Sequence, residues 1–156
     1  SDSVQNAKDY LRDIAGIRVI CYFIDDIYNL VNALKRQSEL IFIREKDYIK
    51  NPKPNGYRSF HVIIAVPVYY LDTMEYFPVE IQLRTMTMDL WASMEHRVCY
   101  KKLLEHREEL SDAFCQYADI LGKIEEQFEA YNETGMLEEI IPSEVVDSPV
   151  EERKWK

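Results

Sequence analysis

The chain has 156 residues, 47% of them hydrophobic, and a formal net charge of −9 at neutral pH. That length suits one domain with a real core, and so acidic a chain excludes a protein that tracks duplex DNA by neutralising phosphates, which needs a broad basic face. Cys21, Cys99 and Cys115 are far apart without C-x-x-C spacing, so neither a disulfide framework nor a zinc site is expected. With no apolar run near the roughly 18 residues of a membrane span and no apolar signal-peptide core in SDSVQNAKDYLRD, a soluble, cytoplasmic protein without a membrane partner is expected.

In chain order, 14-IAGIRVICYF-23 is rich in β-branched and aromatic residues and reads as a buried strand, with Gly16 marking a close backbone approach. The run 25-DDIYNLVNALKRQ-37 puts Ile27, Leu30, Val31 and Leu34 at helical spacing behind Asp25 and Asp26, which read as a cap rather than as ligands. A short strand, 39-ELIFIR-44, leads to 46-KDYIKNPKPNGYRSFH-61, a loop broken by Pro52, Pro54 and Gly56. Strand sequence resumes at 59-SFHVIIAVPV-68, an irregular patch follows at 69-YYLDTMEY-76, and 77-FPVEIQLRT-85 is a further strand. Helices are expected from about residue 86 to 101 and from about 105 to 131, which makes the class α/β or α+β with a mixed sheet.

Within the last helix Leu110, Phe114, Tyr117, Leu121, Ile124, Phe128 and Tyr131 follow a heptad seam. Two readings stand: an amphipathic helix lying on its own sheet, or a helix pair between subunits. Beyond Asn132 the sequence is acidic and aperiodic, and the stretch after Pro142 is expected to be loosely ordered.

The chemistry concentrates in two places. In 79-VEIQLR-84 strict alternation puts Glu80, Gln82 and Arg84 on one strand face, a pattern that an ordinary solvated face also produces. Asp13, at the start of the first strand, is a second carboxylate, and two carboxylates on separate strands can hold Mg²⁺ beside a nucleotide's phosphates. The proline-broken loop adds Lys46, Lys50, Lys53 and Arg58 for phosphates, Tyr57 as a flat face for a base, Gly56 for close backbone approach, and Asn55 and His61 as donors. Each of these has a plain reading alone, but together they point to a nucleotide pocket. It is not of the Walker or dinucleotide kind, since neither GxxxxGK[ST] nor GxGxxG occurs, and the absence of HExxH and G-x-S-x-G removes zinc protease and α/β-hydrolase readings. His96, on a helix, reads as packed or capping.

Three blocks, 13-DIAGIRVI-20, 46-KDYIKNPKPNGYRSFH-61 and 79-VEIQLRTMTMDLWASMEH-96, together resemble the synthetase domain of the RelA/SpoT family, most closely the small alarmone synthetases, over about residues 10–102. The resemblance implies an α+β fold, a nucleotidyltransferase-like mixed β-sheet flanked by helices, with C-terminal helices. It implies a GTP pyrophosphokinase of the stringent response, which moves the β,γ-pyrophosphate of ATP onto the ribose 3′-hydroxyl of GDP or GTP to make ppGpp or pppGpp with Mg²⁺. On that likeness Asp13 is the metal ligand, and Glu80 is the second acidic group, aiding the metal or taking the 3′-hydroxyl proton. Tyr57 stacks on guanine, Lys53, Asn55, His61 and Gln82 hold the acceptor nucleotide, and Arg18 and Lys46 serve ATP.

The family's further basic ATP motif, upstream of the aspartate, has no match in SDSVQNAKDYLR. A fragment of a complete synthetase is therefore expected, the other readings being a natural short form that holds ATP poorly and a non-catalytic module binding guanine nucleotide or alarmone. The expected organisation is a synthetase domain over 1–102, a helical oligomerisation element over 103–134 and an acidic tail over 135–156, assembled as a homotetramer.

Overall fold

The computed structural model describes residues 15–101 and 107–134. The elements run β1 (Ala15–Cys21), α1 (Ile24–Lys35), β2 (Ile41–Asp47), β3 (Phe60–Tyr70), β4 (Thr73–Thr85), α2 (Met86–Lys101) and α3 (Arg107–Thr134). The strands form one sheet in the order β1-β4-β3-β2, with β1 parallel to β4 and the other pairs antiparallel. This is the mixed α+β sheet expected from the order of elements.

One face of the sheet is the core. Phe60, Val62 and Ile64 of β3 and Ile81 and Leu83 of β4 alternate inward and meet Ile27 and Val31 of α1. Ile27, Val62 and Leu83 are wholly buried, and each such side chain contributes roughly 1.5–3 kcal/mol over its exposed state. The aspartates at the start of α1 act as a cap: the Asp26 carboxylate accepts the Phe23 N–H at 3.1 Å, and both acids lie in the first turn, where the helix dipole favours negative charge. A second cluster joins Trp91 and Ala92 of α2 to Phe114 and Ala118 of α3, with Tyr57 packed against it.

Four expectations need correction. The first strand is an edge, not a buried strand: Ala15 through Arg18 are exposed, and no described residue comes within 4 Å of where a Cβ on Gly16 would stand. β2 runs on to Asp47 and takes Lys46 out of the loop and onto the sheet. The strand closes where the Asp47 carboxylate accepts the Ile49 and Lys50 N–H groups, each at 2.9 Å, and the Tyr28 hydroxyl at 3.0 Å. The supposed irregular patch at 69–76 is the end of a long hairpin, paired from Phe60↔Leu83 to Tyr70↔Thr73 and turned by Leu71 and Asp72, with Leu71 at φ 51°. Its strands read as irregular because Tyr69, Tyr70 and Leu71 are all exposed, so no buried face imposes an alternation there.

The fourth correction concerns the seam on α3. Phe114, Ala118 and Glu125 are buried and Leu121 packs beside them, whereas Tyr117, Ile124, Phe128 and Tyr131 are exposed. The seven seam positions thus split between two faces, one on the domain and one turned outward. The 135–156 tail lies outside the described residues. None of the described helices is long and apolar enough to cross a membrane.

Candidate functional site

The sheet face opposite the core carries the polar residues, and the strand register lines them up. Lys46 of β2 pairs with His61 of β3, His61 with Gln82 of β4, and Gln82 with Arg18 of β1. Register partners point to the same side of a sheet, so four of the sequence-predicted residues form one row across all four strands. Glu80 stands in the next row, between Gly16 and Ile63, and Arg84 pairs with Ile20 on the other side.

A chain of hydrogen bonds ties this face together. Arg84 Nη2 donates to the Tyr57 hydroxyl at 3.0 Å, the hydroxyl lies 3.0 Å from His61 Nε2, and His61 Nδ1 lies 3.1 Å from Glu80 Oε1. These distances fit one consistent direction, in which Tyr57 donates to Nε2 and Nδ1–H donates to the carboxylate, with His61 neutral. Burial, above all, pushes the His61 pKa below its ordinary 6.5, and the positive charges of Arg84 and Lys53 add to this against the opposing pull of Glu80. The other end of Arg84 bonds Asp89 Oδ1 at 3.0 Å, and Arg18 Nη1 reaches the same oxygen at 3.5 Å. Arg18 is half exposed, so this second ion pair places a guanidinium at the rim more than it stabilises the fold.

The loop before β3 adds charge and an aromatic wall. Asn55 Oδ1 accepts the Tyr57 N–H at 3.2 Å, and the Gly56 N–H donates to the Lys53 carbonyl at 2.8 Å, a tight turn that brings Lys53 Nζ to 4.8 Å from the Tyr57 ring centre and 5.1 Å from that of Tyr48. Lys46 Nζ stands 5.9 Å from the Tyr48 ring. Trp91 meets the Tyr57 ring edge-on at 6.3 Å. Beside Tyr57 a cleft of about 510 Å³ is lined by Arg18, Arg84, Ser93, His96 and Arg97, a volume within the range of small-ligand sites.

Of the loop residues Tyr57 alone is in the lining of this cleft, and Lys53, Asn55, His61 and Gln82 lie outside it. Arg58 points to α3, where Nη2 bonds Asp119 at 2.9 Å, and Lys50 lies over the Tyr28 ring at 4.9 Å. Gly56, at φ 91°, does make the close approach its sequence setting suggested, but to protein: a Cβ there would stand 2.9 Å from Ala118 Cβ and 3.0 Å from Cys115 Cα. Asp13 lies outside the described residues. Asp89 and Trp91 lie within the third block of the resemblance but were given no role there. The nearest clue was helical geometry, which turns the first residues of α2 back toward the end of β4, where Arg84 waits.

For Mg²⁺ the fit is partial. Among the described residues no group of three or more His, Cys, Asp or Glu side chains could cage a metal; Mg²⁺ usually binds through one or two carboxylates and otherwise keeps waters and substrate phosphates. Glu80 gives Oε1 to His61, leaving Oε2 as the oxygen from which it could bind.

Fold and face define the class: a nucleotidyltransferase-like α+β domain whose open sheet surface gathers cations, an aromatic wall and one positioned carboxylate. Residues 2–105 match the region found in RelA and SpoT proteins, and the chain belongs to that family. It is 46% identical over 125 residues to the GTP pyrophosphokinase YwaC of Bacillus subtilis, covering 80% of this chain and 60% of that protein. Against the GTP pyrophosphokinase YjbM of the same organism it is 37% identical over 91 residues, 58% of this chain and 43% of that one. The chain thus spans about 60% or less of the length of these relatives. Its fold superposes on the crystal structure of the small alarmone synthetase 2 from B. subtilis with a TM-score of 0.73 at 42% identity, covering 85% of this chain and 75% of that one. The small alarmone synthetase 1 of that organism, solved bound to its product pppGpp, gives a TM-score of 0.72 at 28% identity, over 85% and 69% of the two chains.

Proposed function

We propose that the chain is the catalytic core of a GTP pyrophosphokinase, transferring pyrophosphate from ATP to the ribose 3′-hydroxyl of GDP or GTP to yield ppGpp or pppGpp. The observation that carries this is the row Lys46, His61, Gln82 and Arg18: a line of positive and hydrogen-bonding groups across all four strands, with the Glu80 carboxylate held in the neighbouring row by His61. Names of relatives agree, since YwaC and YjbM are GTP pyrophosphokinases.

Pyrophosphoryl transfer asks a protein mainly to hold two polyanions in line and to neutralise the moving charge. Tyr57 offers its ring to guanine, a stack worth about 1–3 kcal/mol. Lys53, now over that ring, is long enough to turn to the acceptor's phosphates when the base arrives, while Asn55, His61 and Gln82 hold its sugar and phosphate edge. Arg18 and Lys46, at opposite ends of the row, serve ATP. Glu80, aimed by the Nδ1–H of a neutral His61, accepts the 3′-hydroxyl proton, a step worth about 10²–10⁴ in rate. Alternatively, Glu80 Oε2 would hold Mg²⁺ together with Asp13, and the ion would supply positive charge for the phosphates. The site's cations hold nucleotide even though the chain as a whole is acidic, because they converge on one face.

The test is one assay: the chain with ATP, Mg²⁺ and labelled GDP or GTP, products separated by anion exchange, and nucleotide binding followed by calorimetry. A product with two added phosphates is expected. Guanine nucleotide binding without product would return the non-catalytic reading for this chain, and no binding at all would refute the site.

The outward face of α3, with Tyr117, Ile120, Ile124, Phe128 and Tyr131 all exposed, supports assembly into a homo-oligomer, for which we propose a tetramer, working in the cytoplasm. These five fall at helical spacing on one stripe, and contiguous exposed apolar patches mark interaction surfaces where scattered apolar residues do not.

A further inference from the structure

The buried side of α3 carries an unusual polar junction. Glu125 is 4% exposed. Its Oε2 accepts the Thr85 hydroxyl at 2.6 Å and the Thr87 hydroxyl as well. Thr85 is the last residue of β4, its hydroxyl oxygen accepts the Met88 N–H at 3.3 Å, and the carboxylate therefore sits against the N-terminus of α2, where the helix dipole favours it. The other oxygen, Oε1, is buried without a hydrogen-bond partner among the described residues, and so is Nε of Arg58. Both residues line one cavity of about 30 Å³, together with Gly56, Trp91, Ala118 and Gly122. By the same measure a water needs roughly 10–15 Å³, so the space suits one or two waters, which is how a buried donor and a buried acceptor without protein partners are ordinarily satisfied.

The loop that carries Lys53, Asn55 and Tyr57 is locked to this junction. Gly56 lies against Ala118 with no room for a Cβ, the Arg58 guanidinium lies so close over Gly122 that a Cβ there would be 2.5 Å from Nη1, and its Nη2 is bound by Asp119. Trp91, which touches the Tyr57 ring, donates its indole N–H to the Phe114 carbonyl of α3 at 2.7 Å. Through Phe114 and Ala118 the helix also packs on Ala92, which lines the cleft itself.

We propose that Glu125 and Arg58 are positioning residues for the acceptor nucleotide: the buried junction docks α3 onto the loop and the start of α2, and the docked helix sets where Tyr57 and Lys53 stand. This rests on the reading of Tyr57 and its loop as the guanine nucleotide site. It makes α3 the support behind the site's wall as well as the bearer of an outward apolar face, and it predicts that changes on α3, remote from any reacting atom, weaken the acceptor.

The test measures GDP affinity of the full chain by calorimetry, well below each variant's unfolding midpoint so that lost stability alone does not move it. Tyr57→Ala is the control. Glu125→Ala and Arg58→Ala are expected to weaken GDP about tenfold with an unchanged circular dichroism spectrum, while Glu125→Gln, which keeps an oxygen for the two threonines, recovers affinity to within about threefold of wild type. Should Glu125→Ala lose the native spectrum, Gly122→Ala, whose methyl displaces the Arg58 guanidinium, decides in its place with the same expected loss. GDP binding that Tyr57→Ala destroys but that every folded junction variant keeps within twofold would overturn the inference alone. No GDP binding by the wild-type chain would overturn the reading of Tyr57 and its loop and this inference with it.

Discussion

Replacing Tyr57 by phenylalanine separates two jobs that one residue performs. The ring stays, so a stacked base keeps its platform, but the hydroxyl that joins Arg84 to His61 is lost. Arg84 is almost fully buried and its Nε is already without a partner among the described residues, so Nη2 would become a second unsatisfied donor on a buried charge. A hydrogen bond from a charged group is worth about 1.5–3 kcal/mol and a neutral one about 0.5–1.5 kcal/mol. Tyr57 itself is only half buried, and water can repair part of the loss. A net destabilisation of roughly 2–3 kcal/mol follows, read as a shift in the urea midpoint at unchanged slope. The same change should raise the His61 pKa, because the hydroxyl donates to Nε2 and so favours the neutral ring. The chain has three histidines, few enough for each to be followed by NMR titration. GDP affinity should fall far less than in Tyr57→Ala. A variant as stable as wild type with His61 titrating at its old value would refute the hydrogen-bond chain as drawn.

Four further outcomes are expected. Glu80→Gln should lower turnover at least about 10²-fold while leaving GDP affinity within a few fold; in an active parent enzyme, near-normal turnover would remove Glu80 from the proton transfer. Gly56→Ala should cost about 2–3 kcal/mol, since φ 91° and contact with the Cys115 backbone leave the methyl no space, and an unchanged thermal midpoint would contradict the docking of α3. His61 binds its proton less readily folded than unfolded, so its contribution to stability is present above about pH 6.5 and is lost as pH falls through the folded-state pKa; urea midpoints should drop more between about pH 7.5 and pH 5.5 in the wild type than in His61→Gln. Ile124→Asp with Phe128→Asp should reduce the oligomer to monomers by light scattering, and a monomeric wild type at tens of micromolar would refute the assembly proposal.

Alternation made the centre of the sheet legible. Val79, Ile81 and Leu83 had to face one way and Glu80, Gln82 and Arg84 the other, and the structure keeps that division because one face is sealed by α1. The edges were harder. β1 is apolar in composition yet exposed, since an edge strand's burial is decided by what lies against it and not by its own sequence. The hairpin end failed for the opposite reason: with both faces of Tyr69 to Tyr76 open, no burial period is written there. Charge in the loop was overread. Lys50 and Arg58 are spelled like phosphate ligands, but a cation's target depends on tertiary neighbours, here the Tyr28 ring and Asp119.

Gly56 shows how a residue can be read correctly in conformation and wrongly in purpose. A left-handed glycine beside an aromatic in a basic loop suggests backbone approach to a ligand, and the φ of 91° agrees, yet the approach is to Ala118 and Cys115. The same contact explains why the heptad seam misled. A helix that lies against a loop through small residues must turn Ala118 and Gly122 inward, which rotates half of its large apolar residues out. The inward half then fixes the loop on which Tyr57 stands, and the outward half becomes available to a partner. An assembly through that outward face would therefore bear on the same helix that supports the acceptor site, so that nucleotide affinity and oligomeric state should vary together when α3 is altered on either side.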